Sequence, residues 1–309
     1  MAGGEQVAAR VGDAVKTAAS VAGSPVATPR TGGAGHALRF PLRSLAAAVD
    51  PLRLVGLVLV VAIWQAVAAA VPPIILPSPV SVARRLATDF LDAPSLSYYG
   101  LTNPNLYGNL LYTTQNVAIA VTVGAAIGVV AGLFTARFRL LRAVIDPIMM
   151  TAGTVPILIA APFLLIWFGV GRFSAVSLVV FYVVVILYLF AQRAAGNLNP
   201  IYEDFALTLG ASQRRIVLDL LIPATVPEIL GGLRIALAGA WGLEAVAELL
   251  GSQEGVGKVL EVFAGATDTE GIMACLLMLG LTAMVVDTIA GWLVRRAARW
   301  NAGLTGERS

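Results

Sequence analysis

Six apolar runs dominate the chain, at residues 54–71, 112–134, 145–168, 175–192, 229–250 and 272–294. A bilayer core of roughly 30 Å is crossed by about 20 residues of helix. A backbone in lipid must also satisfy its own polar groups. Runs of this length therefore predict an all-α bundle of transmembrane helices. The composition agrees, with 58% hydrophobic and 13% charged residues, where an ordinary soluble domain carries roughly a quarter charged. The expected organisation is one polytopic domain of six transmembrane helices over residues 39–300, with tails at 1–38 and 301–309.

The basic residues orient this bundle. Arg39, Arg43 and Arg53 precede the first run, Arg137, Arg139 and Arg142 follow the second, Arg193 follows the fourth, and Arg295, Arg296 and Arg299 follow the sixth. Positive loops stay inside, so both termini are expected in the cytoplasm. Arg84, Arg85, Arg172 and Lys258 fall outside in this topology and are the minority. Arginines so placed set orientation, and the net charge of +3 gives no nucleic-acid signal. Residues 1–38, rich in Ala, Gly, Ser, Thr and Pro and lacking a signal-peptide core, are expected to be a disordered or weakly helical cytoplasmic tail.

One cysteine, Cys275, and one histidine, His36, leave no material for an internal disulfide, a thiol or histidine metal site, or a histidine-based triad within one chain. Thiol- and histidine-based chemistry is therefore not expected of this chain. The segment 251–258, Gly-Ser-Gln-Glu-Gly-Val-Gly-Lys, superficially matches a phosphate-binding loop. It has the wrong spacing, Val259 in place of Ser or Thr, and a preceding membrane helix in place of a strand. No cofactor is expected here.

Within the runs, three features carry information. Gly124, Gly128 and Gly132 form a ridge that admits another helix at backbone distance, in one subunit or across a dimer. Pro156 and Pro162 interrupt the third run, and such irregularity is tolerated only where protein or a watery cavity surrounds it. Arg234, Glu244 and Glu248 put charge into the fifth run. Ionisable groups there turn to a cavity or a partner, and helical spacing puts Glu244 and Glu248 on one face with Arg234 close to the Glu248 side. Pro156, Pro162, Arg234, Glu244 and Glu248 are the candidate translocation-path residues, a structural salt bridge being the other reading of the charges.

The most polar interruption of the second half is residues 199–223. Asn199 can cap a helix beginning at Pro200, with Glu203 and Asp204 near its positive end. Gly210 ends that helix, and Ser212 caps a second one expected to stop at Pro223. Ala206 and Gly210 would share a face open to close approach by another surface.

The run Asp204-x-Ala206-x-x-x-Gly210 followed by Leu220-Leu221-Ile222-Pro223 resembles the cytoplasmic "EAA" loop of binding-protein-dependent ABC importer permeases. Asp204 stands where that family usually has Glu, Phe205 replaces the middle Ala, and Ile222 replaces Leu. Leu76-Pro77-Ser78-Pro79 with Val82 and Leu86, the run from Asp146-Pro147 through Thr154-Val155-Pro156 to Trp167-Phe168-Gly169-Val170-Gly171, and Gly232-Leu233-Arg234 through Ala247-Glu248 to Gly255-Val256-Gly257 resemble the sulfonate, taurine, nitrate and bicarbonate branch of the same family. The resemblance covers residues 54–299 in order. It implies a type I ABC importer-like permease fold and a small-solute cargo such as one of those anions. It also implies a second permease copy, two cytoplasmic ATPase subunits that hold ATP and Mg, and an extracytoplasmic binding protein. Glu203, Asp204, Ala206, Gly210, Ala211, Ser212, Arg214 and Arg215 would then contact the ATPase. An ion-gradient-driven transporter or channel, with Glu244 and Glu248 as its working carboxylates, is the alternative.

Overall fold

The computed structural model describes residues 51–297. The expectations for the tails 1–38 and 301–309 lie outside the described residues. Residues 51–55 belong to one unit and form only the opening of the first helix; all the rest belong to a second unit that begins at Gly56.

Among the described residues the secondary structure is entirely helical. In chain order the helices are α1 (Pro51–Ala70), α2 (Pro79–Asp89), α3 (Pro94–Tyr98), α4 (Leu106–Arg137), α5 (Arg139–Thr154), α6 (Ala161–Phe168), α7 (Arg172–Gly196), α8 (Pro200–Thr208), α9 (Gln213–Gly251), α10 (Val256–Gly265) and α11 (Thr269–Ala297). Four of them, α4, α7, α9 and α11, are long and apolar enough to cross a membrane. The apolar stretch of α1, Leu54–Ala70, is shorter.

The third run is interrupted at Pro156, one of the two prolines expected to break it. Helix α5 and the segment Ile157–Phe168 meet at 96°. Pro156 is the cause, because a proline ring clashes with an α-helical predecessor. Val155 is accordingly extended, at φ −77° and ψ 127°. Pro147, by contrast, is absorbed inside α5 without a break.

The fifth run differs from the expectation. Pro223 does not stop a helix; the chain passes from a π turn over Ile216–Leu221 into a continuous helix that ends at Gly251. In the π turn the hydrogen bonds reach one residue further back, and Ile222 N donates to Val217 O. The change of register between π and α leaves room for a residue without an N–H. At 39 residues, α9 is about 58 Å long. It therefore projects well beyond a hydrocarbon core of roughly 30 Å.

The core is built on α7. The glycine ridge of α4 lies against it: a Cβ on Gly124 would stand 2.6 Å from Val183 Cβ, one on Gly128 2.6 Å from Val184 O, and one on Gly132 2.6 Å from Tyr188 O. The ridge thus packs within the subunit. Helix α9 crosses the other side of α7, where Gly232 faces the Phe190 ring and Gly239 the Tyr182 hydroxyl. Val117, Val179, Val183, Leu187, Leu237 and Trp241 fill the space between the three helices.

The segment between α2 and α4 is partly inserted into the core. Ala93 and Leu96 are fully buried in the core. Ala93 N donates to Pro104 O at 2.8 Å and Tyr107 N to Phe90 O at 3.0 Å, which closes the loop back onto the start of α4. Ser78 caps α2 by accepting from Ser81 N at 3.1 Å. Arg85 then ties α2 to Asp268, ahead of α11, at 2.9 Å.

Candidate functional site

The elbow between α7 and α9 follows its local sequence closely. Asn199 Oδ1 accepts from Ile201 N at 3.0 Å, and Pro200 opens α8 with Glu203 in its first turn. After Thr208 the chain reverses. Gly210 takes φ +80°, Gly210 N donates to Leu207 O at 2.9 Å, and Ala211 N donates to Ala206 O at 3.0 Å, the paired closure that a left-handed residue permits. Ser212 Oγ then accepts from Arg215 N at 3.4 Å and starts α9.

Gly210 therefore does not sit on a helix face with Ala206, as the four-residue spacing predicts. The helix has already ended, and among the described residues nothing lies within 4 Å of a Cβ added there. Backbone conformation explains this glycine without any close approach from the rest of the subunit.

One contact at the elbow is invisible to local reading. Arg137, the last residue of α4, donates from Nη1 to Glu203 Oε1 at 2.6 Å and from Nη2 to Gln213 Oε1. It bridges α8 and the start of α9. Glu203 is thereby turned back toward the chain, whereas Asp204 remains on the exposed side of α8. The surface presented outward is apolar as well as acidic, with Ile201 67%, Phe205 63% and Leu209 72% exposed. Arg214 and Arg215 are also exposed.

Of the charges of the fifth run, Arg234 forms a structural salt bridge, one of the two arrangements the sequence leaves open. Arg234 does not approach Glu248; it donates to both carboxylate oxygens of Asp287 on α11, at 3.2 and 2.7 Å. The partner comes from another helix, and spacing along α9 carries no information about it. Glu244 and Glu248 do share a face, but that face is fully buried inside the subunit. Glu248 Oε2 accepts from Thr113 Oγ1 at 2.8 Å and from Gly257 N at 3.0 Å, and Oε1 from Asn116 Nδ2 at 3.4 Å. Among the described residues neither carboxylate oxygen of Glu244 has a hydrogen-bond partner.

Glu248 is the centre of a polar knot. Asn116 Oδ1 accepts from Arg172 Nε at 2.6 Å. Asn109 Oδ1 accepts from Gly255 N at 3.0 Å, and Thr113 Oγ1 accepts from Val256 N at 2.9 Å. These bonds fasten α4, the end of α9 and the turn before α10 together. Gly255 adopts φ +99°, and a Cβ there would stand 2.3 Å from Glu248 Cδ; one on Gly257 would stand 2.1 Å from Ala245 O. The glycines of the segment that superficially matches a phosphate loop are thus required to close a turn over a buried carboxylate.

Pro156, Pro162 and Arg234 lie on exposed surface, unlike the two glutamates. A second, half-buried tie, unforeseen from the sequence, joins the broken run to α7: Asp146 accepts from Gln192 Nε2 at 2.6 Å and from the Tyr188 hydroxyl. Among the described residues no group of three His, Cys, Asp or Glu side chains could hold a metal ion.

Against known proteins, a family model described as "Binding-protein-dependent transport system inner membrane component" matches residues 124–300, more than half of the chain. The taurine transport system permease protein TauC of Escherichia coli is 25% identical over 247 residues, which cover 79% of this chain and 88% of the relative. The nitrate import permease protein NrtB of Synechococcus elongatus is 29% identical over 240 residues, covering 76% and 85%. An inward-facing structure of the MetNI methionine ABC transporter shares the fold, with a TM-score of 0.55 at 18% identity over 62% of this chain and 95% of the matched one.

Proposed function

The chain belongs to the family of binding-protein-dependent transport system inner membrane components, the permease subunits of ABC importers, and we propose that it forms the translocation path for a small anion such as a sulfonate, taurine, nitrate or bicarbonate. The names of the taurine and nitrate relatives support that cargo class. In this reading two copies pair in a bacterial plasma membrane with both termini in the cytoplasm. They work with two cytoplasmic ATPase subunits, which bind ATP and Mg, and with an extracytoplasmic binding protein.

The observation that carries the reading is the elbow. Ile201, Phe205 and Leu209 are exposed on a short helix beyond the end of a membrane span, and an apolar patch of that kind is a docking surface. Asp204, Ala206, Ala211, Ser212, Arg214 and Arg215 complete it, Glu203 braces it from behind through Arg137, and Gly210 sets its angle. Closure of the nucleotide-bound ATPases would push the two elbows together, and α9 would carry that movement into the membrane. Hydrolysis would reset the cycle. Pro156, Pro162 and Arg234, on exposed surface, are the proposed path residues, and Glu244 and Glu248 hold the interior against which they move.

The test is ATP-driven uptake in proteoliposomes containing the assembled transporter, with its binding protein supplied outside. Phe205→Asp changes an exposed side chain and is expected to keep the fold while abolishing uptake; full uptake by that variant would sink the coupling role. Cargo is tested separately by calorimetric titration of the binding protein with taurine, alkanesulfonates, nitrate and bicarbonate. Failure of all of them to bind would overturn the anion assignment.

A further inference from the structure

An open groove of about 710 Å³ runs between the end of α4 and the π turn of α9. Phe134 and Phe138 form one wall and Val217, Leu218 and Leu221 the other, with polar groups only from Arg137, Gln213 and Arg214. Phe134, Phe138 and Leu218 are each about half exposed. The depth of the groove is set by the sequence: α4 is a membrane-crossing helix that ends at Arg137, and Arg139 and Arg142 follow at once. This is headgroup level, and both leaflets have headgroups, so the placement does not depend on which side is the cytoplasm.

The two arginines of the groove differ. Arg137 is occupied by Glu203 and Gln213. The Arg214 guanidinium is exposed and engages no acidic or amide group among the described residues. A fork of N–H donors beside an apolar trough matches a phosphate on an acyl chain, since guanidinium pairs well with phosphate oxygens and an apolar trough keeps acyl methylenes out of water. We propose that this groove holds one anionic phospholipid, its phosphate at Arg214 and a chain along Phe134, Val217 and Leu221. Bound there, the lipid spans the same joint as the Arg137 tie and braces the elbow against α4. The inference rests on the membrane placement of α4 and is independent of the cargo; it gives Arg214 to a lipid phosphate in place of the ATPase contact assigned to it above.

The experiment is native mass spectrometry of the detergent-purified transporter assembly titrated with dioleoylphosphatidylglycerol or dioleoylphosphatidylcholine. The anionic lipid is expected to give the more abundant adduct by roughly five-fold, the preference one well-placed arginine supplies at a membrane surface. Arg214→Glu, at an exposed position, should abolish the preference. Val217→Trp should fill the trough and reduce both adducts, and Lys258→Glu, far from the groove, should change neither. Equal retention of the two lipids, an unchanged preference in Arg214→Glu, or a groove closed to lipid because a second copy or another subunit covers it would overturn the proposal.

Discussion

Arg137 and Glu203 are separated by a whole membrane crossing and its return, yet their side chains meet at 2.6 Å. The pair links the end of α4 to the first turn of α8, and Gln213 extends the link to the start of α9. Both charged side chains are about one-third exposed, so the pair adds little to stability, ~1 kcal/mol or less. Its importance is positional, because it fixes the angle at which the elbow leaves the subunit.

Arg137→Ala should therefore leave the thermal midpoint of the purified assembly nearly unchanged and lower ATP-driven uptake roughly ten-fold, within the range of coupling free energies between sites. The exchange Arg137→Glu with Glu203→Arg should recover part of the loss. Uptake at the parental level in Arg137→Ala would show that the tie is incidental.

Gly255→Ala should destabilise the protein by about 1–3 kcal/mol or prevent its accumulation. The added methyl meets the Glu248 carboxyl group at a backbone conformation that favours glycine. Gly231→Ala is the matched control, since nothing lies within 4 Å of the new atom. Comparable melting curves for the two variants would refute the account of the turn.

Glu248→Gln and Glu248→Leu separate hydrogen bonding from charge. Glutamine keeps an oxygen for Gly257 N and Thr113 Oγ1 and loses only the long bond from Asn116 Nδ2, so it should cost less than leucine. Leucine strands Gly257 N and Asn116 Nδ2 in the buried interior, at about 1–3 kcal/mol for each group left unsatisfied, while the Thr113 hydroxyl keeps the Asn109 carbonyl as acceptor. The measurement is the midpoint of thermal unfolding in detergent, and a leucine variant as stable as the glutamine variant would contradict the knot.

Gly128→Leu should abolish folded protein, whereas Gly280→Leu should be tolerated. A Cβ at Gly128 stands 2.6 Å from the Val184 carbonyl, a backbone atom that cannot turn aside, and none lies near Gly280. Size-exclusion profiles of the two variants in detergent decide the matter; a normal profile for Gly128→Leu would mean that α4 and α7 are not held at backbone distance.

How much of this the sequence discloses depends on how local each cause is. Asn199, Pro200, Gly210 and Ser212 act on their own neighbours, and their capping and chain-reversing roles are legible from chemistry and spacing alone. The glycine ridge is legible as a ridge, though not as a contact with Val183, Val184 and Tyr188. Arg234 illustrates the opposite case. Its partner, Asp287, lies on another helix, and a reading confined to α9 turns toward Glu248. Pro156 and Pro223 show why a proline alone is ambiguous: one turns the chain by 96° and the other is absorbed by a π turn. The groove beside Arg214 arises only when α4 and α9 are brought side by side.

Helix α9 is pinned near its far end, where Glu248 is knotted to α4 and the following turn, and its near end carries the elbow at Gln213. The distance between the two along the helix is about 52 Å. A rod knotted at one end works as a crank once the Arg137 tie at the other end yields: a swing of about 5° displaces the elbow end by about 4.5 Å and scarcely shifts the pivot. Residues spaced along the rod thus experience graded travel, greatest at the water's edge and vanishing toward the carboxylate.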